Sequence, residues 1–278
     1  MKKKVLLFFA VVFLFVSLFP HTLSADMGPK PSVSIKVEGI EGMKYFVTLL
    51  SDKEQYGPWS KIEEVDNHSS DAEDIAFAYF ANYDDPDGFC FLGNMSEMLE
   101  GDGEFSWTYY PPDKFKIAIY CFDESSLSVS DVYERDAFNA YYTVQYEKDL
   151  LKVDEEIHLG KALLSGIFRA LVTIAVEMAL AYLFKYRERK QIMTILIVNI
   201  ITQLLLNVFL SVCDYLGGIL VWMMMFVIGE IAVLILEYLI YLIAFKKEKR
   251  GKLFLYTLLA NLLSGVFTFI GTIATYVA

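Results

Sequence analysis

The sequence predicts an α-helical transmembrane four-helix bundle joined to an extracellular, mostly-β, sandwich-like domain that contains one helix. Three observations predict it. Hydrophobic residues make up 55% of the 278, too apolar a composition for an ordinary soluble chain. Charge is divided unevenly, with 29 acidic and 10 basic side chains over residues 26–160 but 6 and 11 over residues 161–278. Four apolar stretches, 163–184, 191–211, 219–245 and 253–277, each approach or exceed the length of about 20 residues that a helix needs to cross a hydrocarbon core.

Residues 1–25 have a basic start, an apolar stretch from Val5 to Phe19, a breaker at Pro20 and a small residue at Ala25, the layout of a secretory signal peptide. Leu23 is larger than the residue preferred two places before a cleavage site, so an uncleaved anchor is the alternative. Either case exports the adjoining segment. No cysteine lies near Ala25, which argues against a lipid-anchored form.

Residues 26–145 read as the extracellular β-rich domain. In the opening "PSVSIKVEGIEGMKYFVTLLS", Val33, Ile35 and Val37 alternate with Ser34, Lys36 and Glu38, and the glycines of "EGIEGM" predict the turn of a β-hairpin. "FSWTYY", "FKIAIYCF", "SLSVS" and "AFNAYYTVQY" are short, aromatic or β-branched and bounded by turn residues, which adds further strands. One helix interrupts them. Ser70 and Glu73 have capping-box spacing, Ile75, Tyr79 and Tyr83 share a side, and Asp84, Asp85 and Pro86 end the pattern. Residues 146–160 form an acidic juxtamembrane linker leading into the membrane domain at 161–278. In an oxidising compartment Cys90 and Cys121 are candidates for a disulfide, which sequence alone leaves open, and Cys213 reads as an unpaired thiol.

The loops orient the spans. "KYRERK" at 185–190 and "KKEKRGK" at 246–252 are densely basic, whereas 212–218 has no basic residue. Basic loops stay on the cytoplasmic side, and an exported N-terminal domain followed by four crossings places both of them there. The localisation expected is a multi-pass cell-membrane protein with residues 26–160 outside.

The words "DMGPKPSV", "YYPPDKFKI" and "AFNAYYTV" resemble a group of uncharacterised four-span surface membrane proteins of Gram-positive bacteria. The resemblance covers both halves of the chain. It implies a bacterial cell surface and, since the group has no assigned activity, transfers no site.

Within the spans, polar residues recur at matched depths. Glu177 lies eight residues before Lys185, Asn199 nine after Lys190, Glu237 nine before Lys246 and Asn261 nine after Lys252. At about 1.5 Å per residue these four form one layer about 13 Å from the basic ends. Arg169, Asn207, Glu230 and Thr268 form a second layer about 24 Å from the same ends by the same rise. Polar groups in lipid lack partners, so the stripes are expected to face one another. Arg169 and Glu230 are expected to form an ion pair. Glu177 and Glu237 have no matching cation and are expected to be protonated, to share a proton or to bind a cation, with Asn199 and Asn261 as neutral partners. The plain alternative is that such side chains only glue helices together.

Asp85 and Asp87 in "DDPDGF" carry the core of a calcium loop without its remaining ligands, which leaves a turn as the plainer reading and weak calcium binding as the other. Trp107, Tyr109, Tyr110, Tyr141 and Tyr142 are either a ligand platform or core. The only histidines are His21, His68 and His158, Asp214 is the sole Asp after residue 160, and no nucleotide-binding loop occurs, so no enzyme, no cofactor and no nucleic acid are expected. The function expected is extracellular binding or sensing on a polar-cored membrane bundle, in contact with the lipid bilayer and with a cationic or cell-surface ligand of the acidic domain. The alternative is a small proton- or cation-coupled permease that uses Glu177 and Glu237, for which four spans would favour an oligomer.

Overall fold

The computed structural model describes residues 28–65, 69–147, 150–156 and 159–277. The expected signal peptide lies outside them. β1 (Ser32–Glu38) runs parallel to β10 (Asn139–Glu147) and antiparallel to β7 (Gly103–Trp107), and β11 (Leu150–Glu155) extends this sheet beyond β10. A second sheet is ordered β5 (Cys90–Met95), β2 (Lys44–Ser51), β8 (Lys114–Cys121), β9 (Ser126–Glu134), with the short β6 (Leu99–Glu100) also on β2. β3 (Gln55–Tyr56) and β4 (Trp59–Ser60) form a separate ribbon.

The period of two in the sequence explains how the sheets meet. Val33, Ile35 and Val37 of β1 and Phe115, Ile117, Ile119 and Cys121 of β8 turn into one buried cluster with Trp107 and Tyr142, so the two sheets pack face to face. Burying each such side chain is worth about 1.5 to 3 kcal/mol. The opposite face of the second sheet, with Phe46, Leu50, Ala118 and Tyr120, is covered by α1 (Ala72–Ala81) through Ala76 and Phe80.

Several expectations need correction. The predicted hairpin is an arch: β1 and β2 belong to different sheets, and the chain crosses between them at Gly39 (φ 82°) and Gly42 (φ 71°). Alternation specifies a face for each strand but not its partner. Asp71, not Ser70, caps α1, accepting from the Glu73 N–H at 3.3 Å. The buried side of α1 carries Phe80, set between Phe91 and Tyr120, while Tyr79 is half exposed and stacked on Tyr120. Part of the expected linker is strand, since β11 pairs with β10. The three cysteines are free. Cys90 is in register with Ser51 at one end of β2 and Cys121 with Tyr45 at the other, on opposite sides of that strand, too far apart for a bridge.

The C-terminal region is helical: α2 (Leu159–Leu183), α3 (Arg189–Ala244) and α4 (Arg250–Val277). All three are long and apolar enough to cross a membrane. α3 has 56 residues, yet the Thr202 hydroxyl lies 2.8 Å from a Glu237 carboxylate oxygen and Asn199 Nδ2 lies 3.2 Å from the Tyr241 hydroxyl. In a straight helix residues 35 apart would be about 50 Å distant. α3 therefore folds back on itself at Gly218, whose φ of 68° and ψ of −170° are non-helical. The predicted spans 191–211 and 219–245 are its two arms. Where the arms meet, Gly229 faces Leu206, whose Cδ1 lies 2.4 Å from where a Cβ would stand.

The β domain touches α3 at this break. The Phe138 N–H donates to the Tyr215 carbonyl at 2.7 Å, and the Phe138 ring lies where a Cβ on Gly218 would approach to 2.5 Å. Ser32 N–H donates to the Phe138 carbonyl at 3.0 Å, tying the contact to the start of β1.

Candidate functional site: a buried polar layer in the helical region

The helical region buries a set of polar side chains alongside two apolar clusters and exposes large apolar ones. Glu177, Asn199 and Glu237 are 0% exposed and Asn261 is 4% exposed, whereas Leu164, Phe168, Leu204 and Ile243 are largely exposed. The four-residue spacing along each helix produces this: Thr173 and Glu177 on α2, Asn199 and Gln203 on the first arm of α3, and Thr257 and Asn261 on α4 each share one face, and all are buried.

The faces meet. Glu237 accepts from the Thr202 hydroxyl at 2.8 Å through one carboxylate oxygen and from Asn261 Nδ2 at 2.8 Å through the other. Asn261 Nδ2 also donates to the Thr257 carbonyl, and Asn199 Nδ2 to the Ile195 carbonyl and the Tyr241 hydroxyl. Glu177 faces both Asn199 and Glu237. Tyr256 approaches from α4, its hydroxyl donating to the Glu177 main-chain carbonyl at 3.5 Å. The structure thus brings Glu177, Asn199, Glu237 and Asn261 into one layer.

The two carboxyl groups are treated unequally. Glu237 has a donor on each oxygen, whereas neither side-chain oxygen of Glu177 has a hydrogen-bond partner, and Asn199 Oδ1 and Asn261 Oδ1 are buried without one. Gln203 Nε2, an unpartnered donor one turn from Asn199, bonds to none of them.

In the second layer Arg169 meets a neutral partner. Arg169 Nε donates to Asn207 Oδ1 at 2.9 Å. The Glu230 carboxyl lies against Gly265 on α4, 3.5 Å from where a Cβ would be, and its Oε2 is buried without a partner. Equal depth along two helices leaves open which faces turn toward each other, and Asn207, in the same layer, takes the guanidinium. Thr173 and Thr268, on α2 and α4, meet at 3.4 Å.

The calcium candidates Asp85 and Asp87 hold an ammonium instead. Lys116 Nζ lies 2.8 and 2.9 Å from the two Asp85 oxygens and 2.6 Å from Asp87 Oδ2. Asp85 Oδ2 also accepts from the N–H groups of Asp87 and Phe89, which closes the turn. Lys116 reaches this position because it alternates with Phe115 and Ile117 on β8 and so points to the α1 side of the sheet. Burial pushes the Lys116 ammonium down, but its hydrogen bonds to Asp85 and Asp87 outweigh that and hold it above the usual lysine value. The aromatic set divides: Trp107 and Tyr142 are core, while Tyr110 is half exposed.

Sequence reasoning missed Thr202, Tyr241 and Tyr256 as members of the layer, although the spacing carried the signal, with Thr202 three residues after Asn199 and Tyr241 four after Glu237. It missed Lys116 and Phe138 because their partners are distant in sequence. No protein-family model, curated protein or solved structure matches the chain.

Proposed function

We propose that the chain is a multi-pass cell-surface membrane protein whose exported, acidic β domain binds or senses a cationic or cell-surface ligand. Its helical region serves as a four-helix membrane bundle in which the arms of α3 are two of the spans. This burial pattern supports the membrane placement, since polar side chains gain partners inside while apolar ones meet lipid. The observation that carries the sensing reading is the seat of Phe138 on the α3 break, where the β domain holds the Tyr215 carbonyl and covers Gly218. A displacement of the β domain at this point reaches both arms of α3. The basic segments 185–190 and 246–252 lie at the ends of the helices away from that break, which supports a cytoplasmic position for them.

The test has two parts. In whole cells an impermeant maleimide should label Glu104→Cys above the wild-type background but reach Lys249→Cys only after permeabilisation. In nanodiscs, poly-lysine should bind the full chain and change the emission of a dye on Leu216→Cys, while Phe138→Ala keeps the binding and loses the change. Failure to retain poly-lysine, or labelling of Lys249→Cys from outside, would overturn the reading.

The unsatisfied Glu177 favours a second reading, a proton- or cation-coupled permease. Under it, Glu177→Gln or Glu237→Gln abolishes ion flux into reconstituted vesicles.

A further inference from the structure

We infer that Glu177, Glu237, Asn199 and Asn261 form a binding site for one hard metal cation, held by oxygen atoms between α2, both arms of α3 and α4. The inference rests on the membrane placement proposed above and on neither transport nor an external ligand. Four buried acceptors lack a donor here: both carboxylate oxygens of Glu177, Asn199 Oδ1 and Asn261 Oδ1. They come from three separate elements, and Glu237, which faces Glu177 and bonds Asn261, keeps lone pairs beyond those used by Thr202 and Asn261.

A proton does not satisfy this arrangement. On Glu177 it would make one donor and reach one acceptor, leaving the others buried and bare, each at the cost of its lost hydration. A cation with five or six oxygen ligands satisfies all four at once and offsets the carboxylate charge. The chain supplies no substitute, since residues 170–184, 191–245 and 253–278 contain no Lys, Arg or His. The β domain shows the contrast, because there the chain fills an acidic pair with its own Lys116.

The ligand class follows from the donors. No His or Cys takes part and only two of the four residues are acids, so the site does not suit zinc or copper. Carboxylate and amide oxygens suit Na⁺ or Ca²⁺, and the two amide oxygens let a layer with only two acids complete its coordination.

The test uses the full chain in nanodiscs at constant ionic strength, with choline replaced by Na⁺, K⁺, Mg²⁺ or Ca²⁺, and reads the thermal midpoint and the retention of ²²Na⁺ or ⁴⁵Ca²⁺. One of these ions should raise the midpoint saturably and bind at one per chain beyond the level of Glu177→Gln. That variant removes an unpaired carboxylate without changing shape, so it should stay folded in metal-free buffer and lose at least tenfold in affinity. Its difference from wild type separates this site from surface binding by the acidic β domain. Asn261→Ala should weaken binding by a smaller factor. An equal response in wild type and Glu177→Gln, or a midpoint that responds to pH and to no metal, would overturn the inference. The maleimide result stands or falls separately.

Discussion

The β domain and the helical region each bury acidic residues, and they treat them in opposite ways. Asp85 is 5% exposed and meets the ammonium of Lys116 together with two main-chain N–H groups. Glu177 is 0% exposed and faces the Asn199 amide, with no donor within hydrogen-bonding distance of its carboxyl. The surroundings differ as well: Val, Ile and Phe fill the β domain, whereas the helices bury Thr, Asn, Gln and Glu alongside apolar clusters, beneath an apolar exterior. A buried charge whose partners are all supplied by the chain is part of the architecture. A buried acid left without a partner, in a chain that compensates charge elsewhere, is the ground on which the inferred cation site rests.

The largest expected effect tests the compensated side. Lys116→Met keeps the apolar stem but strips Asp85 of its cation, and should cost about 3 to 5 kcal/mol. Urea unfolding read by hydrogen exchange of the β8 amides in the full chain measures it, and a loss under about 1 kcal/mol would class the pair with solvated surface bridges. The sign with pH follows from the raised Lys116 value: stability from this pair is complete below the ordinary 10.5 and is lost as pH rises through the higher folded value. Wild type should therefore weaken in strongly alkaline solution by a step that Lys116→Met lacks.

The junction between the regions comes next. Gly218→Val places a β-branched residue at φ 68° and drives its Cβ into the Phe138 ring, for a loss of about 1 to 3 kcal/mol in thermal unfolding from nanodiscs. Adding Phe138→Ala should recover the part due to collision and leave the part due to backbone. Full additivity of the two changes would show that the β domain does not rest on the break.

How much of the molecule is legible in the sequence divides along the same line. In the helices, depth and face both follow from counting residues, so Glu177, Asn199, Glu237 and Asn261 can be grouped from their distances to Lys185, Lys190, Lys246 and Lys252. Rotation about the helix axis does not follow from counting, which is why depth alone matches Arg169 to Glu230 while the structure seats it on Asn207. In the β domain alternation assigns Val33, Ile35 and Val37 to a buried face, but pairing is non-local: β1 joins β10, 107 residues away, and the arch at Gly39 looks like a hairpin turn in sequence. Lys116 is illegible for the same reason, because its partners lie across the sheet, 29 and 31 residues back.

A smaller effect should carry the opposite sign. In metal-free buffer Glu177→Gln removes an uncompensated carboxylate and should raise stability by about 1 kcal/mol, the reverse of what Asp85→Asn does beside Lys116. Glu237→Gln should not share the gain, since it turns a carboxylate with two donors into an amide that places an N–H against Thr202 or Asn261. Thermal midpoints of the three variants under one condition decide it. Equal losses for Glu177→Gln and Glu237→Gln would erase the distinction between a satisfied and an unsatisfied acid.

The smallest effect sharpens the second layer. Polar contacts between membrane helices couple by only about 0.6 kcal/mol on average, because the separated helices also find partners. A double-mutant cycle on Arg169→Ala and Asn207→Ala should give a coupling of about that size, since Arg169 Nε and Asn207 Oδ1 are 2.9 Å apart. The cycle on Arg169→Ala and Glu230→Ala should give about zero, and exchanging Arg169 with Glu230 should fail to rescue either single reversal. A coupling of several kcal/mol between Arg169 and Glu230 would instead mean that their faces turn toward each other in the bilayer. The second layer would then be compensated like Lys116 and Asp85, and Glu177 would be left as the bare acid of the helical region.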